Sequence, residues 1–209
     1  MSSSRLLGRV ESLRKGDVRK VIESKLDLFS SFKSKGDDDW FSELCFCILT
    51  ANSKAHTALK IEAELGKEGF LTHSLPKLRS CIKRNKHRFH NNKSKYIVEA
   101  RKNRNIKSIL APLSSFDARE WLVKNVKGLG YKEASHFLRN VGYTDLAILD
   151  RHILNLFDEH CIAKRPKSLN RNAYLSIEKK FNNLAKKAGM TSSELDLYLW
   201  YIKTGEVLK

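Results

Sequence analysis

The chain is 209 residues long, 41% hydrophobic, and carries 40 Lys and Arg against 23 Asp and Glu, for a net charge of +17. That length buries a sizeable core, so one domain or two intimately packed subdomains is expected, and the charge calls for a polyanionic partner: DNA, RNA or an anionic membrane surface. With no run of about 18 apolar residues to span a bilayer and no continuous apolar core in the opening MSSSRLLGRVESLRKG, an intracellular, soluble protein of the cytoplasm or nucleoid is expected.

Helical periodicity recurs along the chain, interrupted by only three prolines, and no alternating strand pattern of convincing length is present, so the fold class is all-α. DVRKVIESKLDLFSSF sets Val18, Ile22, Leu26 and Phe29 on one stripe. GDDDWFSELCFCILTAN opens with acids suited to a helix N-terminus and is then apolar nearly all round, as a central buried helix would be. SKAHTALKIEAELG starts at a Ser cap and stops at Gly66, and SLPKLRSCIKRN carries Pro76 in its first turn. NNKSKYIVEARKN, SSFDAREWLVKNV, YKEASHFLRNVG, DRHILNLFDEH, SLNRNAYLSIEKKFNNLAKKAG and TSSELDLYLWYIKTG complete the helices, with polar starts and, in several, a closing glycine. No repeat or low-complexity linker marks an internal border, so residues 1–209 are read as a single domain.

Cys45, Cys47, Cys81 and Cys161 show no CxxC pair and no zinc-ligand spacing. They read as buried small hydrophobes, which argues against a zinc site or an iron–sulfur cluster. Residues 77–107 hold twelve Lys or Arg, two His and one acid, Glu99. Such density favours phosphate contacts, with an affinity that falls steeply with salt. No basic amphipathic helix with an aromatic face stands at either terminus, so a membrane surface is disfavoured.

In VKGLGYK, Gly128 and Gly130 make a tight turn between two helices, and its N–H groups can face a phosphate. Lys132 follows the turn, and eighteen residues beyond it Asp150 opens DRHIL. This hairpin, at about 119–142, with its downstream aspartate resembles the helix-hairpin-helix superfamily of base-excision DNA glycosylases. FSELCFCILTANSKA, RFHNNKSKYIVEAR, VKGLGYKEASHFLRNVGYTDLAILDRHIL and the ending DLYLWYIKTGEVLK are similar to one branch, the type 2 8-oxoguanine DNA glycosylase/AP lyases, a mostly archaeal family.

The resemblance implies two packed helical subdomains with the active site in the cleft between them. It also implies an enzyme that flips an 8-oxoguanine nucleotide out of the duplex, cleaves its N-glycosidic bond and nicks the strand at the resulting AP site. Lys132 becomes the amine nucleophile. It has to react uncharged, which demands a partly desolvated or cationic setting. Asp150 stays ionised, steadies positive charge developing on the sugar and orients the amine; it also suits an ordinary N-cap.

The lesion differs from guanine in a hydrogen on N7, so the pocket needs an acceptor there, and a backbone carbonyl in RFHNN is expected to supply it, with Phe89 lining the pocket. Trp200 is the candidate to stack on the flipped base. The terminal Lys209, with its carboxylate, is assigned by the resemblance to the base pocket. Asn52 in LTANSKA is the candidate to fill the gap left by the flipped nucleotide, although Asn there also suits a turn. His152, beside Asp150, is a candidate for phosphate contact.

The expected partner is damaged double-stranded DNA, bound by a monomer without a redox cofactor or metal. A monovalent cation held by backbone carbonyls of the hairpin remains open at this stage. Two other readings stay open beside it: a glycosylase for another oxidised base, and a non-catalytic helix-hairpin-helix DNA-binding module, which gives no reason for Lys132 and Asp150.

Overall fold

The computed structural model describes residues 3–209, and every regular element among them is helical. The helices are α1 (Ser3–Arg14), α2 (Val18–Ser31), α3 (Asp37–Thr50), α4 (Ala55–Thr72), α5 (Leu75–Arg84), α6 (His90–Ala100), α7 (Ile106–Leu110), α8 (Ser115–Asn125), α9 (Tyr131–Asn140), α10 (Arg151–Glu159), α11 (Arg171–Lys187) and α12 (Ser192–Thr204). Single 3₁₀ turns lie at Phe32–Ser34 and Arg101–Asn103. No described helix is long and apolar enough to cross a membrane.

The chain divides into two compact units. One joins the chain through Ser31 with Gly142–Lys209, and the other is Phe32–Val141. In the second, α3 is buried from Trp40 through Thr50 save for Ser42, because an apolar helix has no face to give to water. Its three leading acids lie at the positive end of the helix dipole. Trp40 donates its indole N–H to the Phe32 carbonyl at 2.8 Å and meets the Phe137 ring edge-on at 6.0 Å, which packs α9 against α3. Two buried polar groups tie the same helices, with Asn140 Nδ2 donating to Glu43 Oε1 at 2.7 Å.

In the first unit, Ile22 and Phe29 of α2 are buried and Val18 and Leu26 half-buried, which is the stripe read from the sequence. Phe157 of α10 stacks on Phe181 of α11 at 5.7 Å, and Leu195, Leu197, Tyr198 and Leu199 of α12 complete the core. Each such side chain contributes roughly 1.5–3 kcal/mol by leaving water.

The stop read at Gly66 is present as a break: the backbone leaves the helix there at φ 58, ψ −179, and a second helical stretch, in which Phe70 is fully buried, runs on to Thr72. Two other expectations are corrected. The residue capping α4 is Lys54 rather than a serine. Cys45, Cys47 and Cys81 are buried as expected, whereas Cys161 is exposed, set at φ 56 in the turn that ends α10.

Candidate active site

The hairpin is built by α8, the turn Val126–Gly130 and α9. Gly128 sits at φ 91, and a Cβ there would lie 2.5 Å from the Tyr96 ring, so only glycine fits. Gly130 is extended rather than left-handed and serves as the N-cap of α9 with no side-chain cap, a helix end whose dipole suits an anion. Lys132 is the second residue of α9. Its side chain is 25% exposed, and its Nζ lies 2.9 Å from Oε1 of Glu133. Glu133 is the acid that suits this helix end, and it offsets a cation the dipole disfavours.

A second lysine lies close by. Lys93 of α6 is 5% exposed and donates Nζ to the Ile48 carbonyl at 2.7 Å. Burial pushes its ammonium down to about 8, with Glu133 opposing that fall and Lys132 adding to it. His87 bridges the Leu49 carbonyl, at 2.9 Å from Nε2, and the Phe89 N–H, at 3.1 Å from Nδ1, and burial holds its pKa below the usual histidine value. The RFHNN segment is thus fastened to the final carbonyls of α3, which a helix leaves without internal partners. Phe89 is half-buried, with the Arg88 guanidinium 4.4 Å from its ring centroid.

The basic stretch is partly committed to partners within the protein. Arg84 pairs with Glu64, Arg104 grips Asp38 through two bonds of 2.7 and 2.9 Å, and Arg101 caps the Phe70 and His73 carbonyls at 2.9 and 2.6 Å. Lys107 binds the Lys33 and Lys35 carbonyls. The acids missing from residues 77–107 arrive from α3 and α4. Lys77, Lys83, Lys86, Arg88, Lys95 and Lys102 are exposed and make none of these contacts.

Asp150 belongs to the other unit. It is the N-cap of α10, and its Oδ1 accepts from the N–H groups of His152 at 2.9 Å and Ile153 at 2.8 Å, while Oδ2 makes no hydrogen bond. The capping role is therefore real and leaves one carboxylate oxygen available. In the same unit the structure brings together two separately chosen residues: the His152 ring meets Trp200 edge-on at 5.1 Å. Trp200 is half-buried, and its indole N–H is buried without a partner. Lys209 is half-buried beyond Gly205, the left-handed stop of α12. Asn52 is exposed at φ 58, the left-handed turn position that suits asparagine. Among the described residues no group of three His, Cys, Asp or Glu could hold a metal.

Residues 22–190 match the family model described as 8-oxoguanine DNA glycosylase. The chain belongs to that family. An 8-oxoguanine DNA glycosylase/AP lyase of Methanocaldococcus jannaschii is 47% identical over 98% of this chain and 99% of its own length, and one of the bacterium Aquifex aeolicus is 41% identical over 92% and 95%. The crystal structure of the M. jannaschii 8-oxoguanine glycosylase/lyase in complex with a 15mer DNA containing 8-oxoguanine is 45% identical and covers 98% of this chain and 100% of its own, with TM-score 0.96. Endonuclease III, at 16% identity and TM-score 0.59, shares the helix-hairpin-helix glycosylase fold.

Lys93, Glu133 and Glu43 escaped the family signature. Lys93 lies in a run of surface-like lysines, and nothing in the local pattern separates a buried one from its neighbours.

Proposed function

We propose that this protein excises 8-oxoguanine from double-stranded DNA and then nicks the strand at the AP site. The observation that carries this reading is near end-to-end identity of 47% to an 8-oxoguanine DNA glycosylase/AP lyase, together with Lys132 on the first turn of α9, just past the glycines of the hairpin. The exposed lysines of α5 and α6 and the N-terminus of α9 engage phosphates. The nucleotide is extruded at a cost of a few kcal/mol for unstacking. Lys132, released from Glu133 and deprotonated, attacks the anomeric carbon as the base departs. The resulting Schiff base makes the neighbouring sugar proton acidic, and its loss expels the 3′ phosphate by β-elimination. Asp150 steadies the positive charge on the sugar through its uncommitted oxygen.

Trp200 and Phe89 line the base pocket in this reading, and Lys209 contributes to telling the lesion from guanine. Asn52 fills the vacated stack and His152 contacts a phosphate. The partner is damaged duplex DNA, engaged by a monomer, and the reaction consumes no redox cofactor and calls for no metal.

The test incubates the protein with duplexes bearing 8-oxoguanine, thymine glycol or an abasic site, scoring base release and nicking separately. Selective release of 8-oxoguanine, nicking of the abasic duplex, and borohydride trapping that disappears in Lys132→Gln are expected. A trapped adduct in that variant moves the nucleophile elsewhere.

A further inference from the structure

Between α9 and α10 the chain runs from Gly142 to Asp150 without regular structure, and Leu146, Ala147, Ile148 and Leu149 are 2%, 0%, 7% and 1% exposed. Backbone N–H and C=O groups at that depth need partners from the protein. Two side chains of α11, four residues apart on one face, provide them. Glu178, 2% exposed, accepts the Ala147 N–H at 3.0 Å. Tyr174, 1% exposed, donates its hydroxyl to the Ala147 carbonyl at 2.7 Å and accepts the Leu149 N–H at 3.3 Å. The next N–H, that of Asp150, folds back on the Ile148 carbonyl at 3.0 Å. The segment leading into Asp150 is therefore fixed at successive backbone groups by a hydroxyl and a carboxylate, both inside the core.

The consequence falls on the aspartate. Its Oδ1 is committed to the first turn of α10, so the carboxylate cannot move independently of the residue that bears it. What remains to set its placement is the path of Ala147–Leu149, and that path is set by Tyr174 and Glu178. An apolar pair at these positions would fill the same space and leave three backbone groups buried without partners, each unmade bond costing about 1–3 kcal/mol. The segment would relax to recover them and carry Asp150 with it.

We propose that Tyr174 and Glu178 are positioning residues, which hold the Asp150 carboxylate where it can steady the sugar cation. The inference rests on the assignment of Asp150 made above. It names no contact between these two side chains and DNA, so binding should survive their loss while the chemical step slows.

The experiment compares Tyr174→Phe, Glu178→Gln, Asp150→Asn and the double variant Tyr174→Phe/Asp150→Asn. It measures the single-turnover rate of 8-oxoguanine release, the equilibrium affinity for an 8-oxoguanine duplex and the melting temperature. Tyr174→Phe is expected to slow release about 10- to 100-fold, as small displacements of a reacting group do, with affinity changed less than about twofold. Glu178→Gln keeps an acceptor oxygen for Ala147 and should lose far less. In the double variant Tyr174→Phe should add nothing to the defect of Asp150→Asn, because both remove the same electrostatic contribution. Full-rate Tyr174→Phe beside a disabled Asp150→Asn overturns the inference and leaves the proposed function standing. A further additive loss in the double variant also overturns it, assigning Tyr174 a structural role alone. Full activity in Asp150→Asn overturns the assignment of Asp150 itself, and the inference with it.

Discussion

Lys93 should lower the stability of the native protein at neutral pH, and removing its charge should raise it. The ammonium is 5% exposed, makes one hydrogen bond, to the Ile48 carbonyl at 2.7 Å, and has no ion-paired carboxylate. Burial brings it from 10.5 to about 8. Below pH 8 the lysine is charged in both folded and unfolded states, and the folded state bears the full desolvation cost. Between pH 8 and 10.5 the unfolded chain binds more protons than the native one, so stability rises with pH across that window. The drop corresponds to about 3 kcal/mol.

Lys93→Met keeps the apolar stem and deletes the charge, while the Ile48 carbonyl loses a partner worth about 1 kcal/mol. The net expectation is a gain of about 2 kcal/mol at pH 6.5, or a melting temperature higher by about 4–8 °C for a chain of this size. At pH 10.5, where the parental lysine is largely neutral, the gain should vanish and the lost hydrogen bond leave the variant slightly less stable. Thermal unfolding followed by circular dichroism at both pH values reads the difference. A variant less stable at pH 6.5, or a difference that ignores pH, would refute the reasoning.

Gly128→Ala should cost more than about 1 kcal/mol, since it forces a left-handed backbone on alanine and drives a methyl into the Tyr96 ring; a melt and a DNA-binding titration should both worsen. Asp150→Ser separates capping from chemistry: serine caps nearly as well, so stability should hold within about 0.5 kcal/mol, while the rate of base release collapses. Retained activity would make Asp150 a cap only. Deleting Lys209 should weaken discrimination between 8-oxoguanine and guanine more than duplex affinity, and equal losses in the two assays would remove it from the base pocket.

Local pattern accounts for much of what the molecule is. An apolar run led by three acids could only be a buried helix, and Asp150 before an amphipathic segment could only help to start one. The spacing of Gly128, Gly130, Lys132 and Asp150 carried the family before any coordinate did. Those features are legible because each depends on neighbours within a few turns. Signals that depended on distant neighbours misled or were silent. Gly66 reads as a stop and does break the helix, but nothing local announced the second helical stretch beyond it, where Phe70 is buried. Cys161 has the composition of a core residue and the backbone of an exposed turn.

Residue identity along the chain therefore determined the all-α class, the placing of most helices and the glycine hairpin, since hydrogen bonding and periodicity act over short separations. Tertiary structure alone decided which of twelve basic residues face solvent, which lysine is stripped of water, and which buried hydroxyl and carboxylate hold the backbone before Asp150. Desolvation and charge pairing depend on the groups packed around an atom in space, and the chain brings those groups from far along its length.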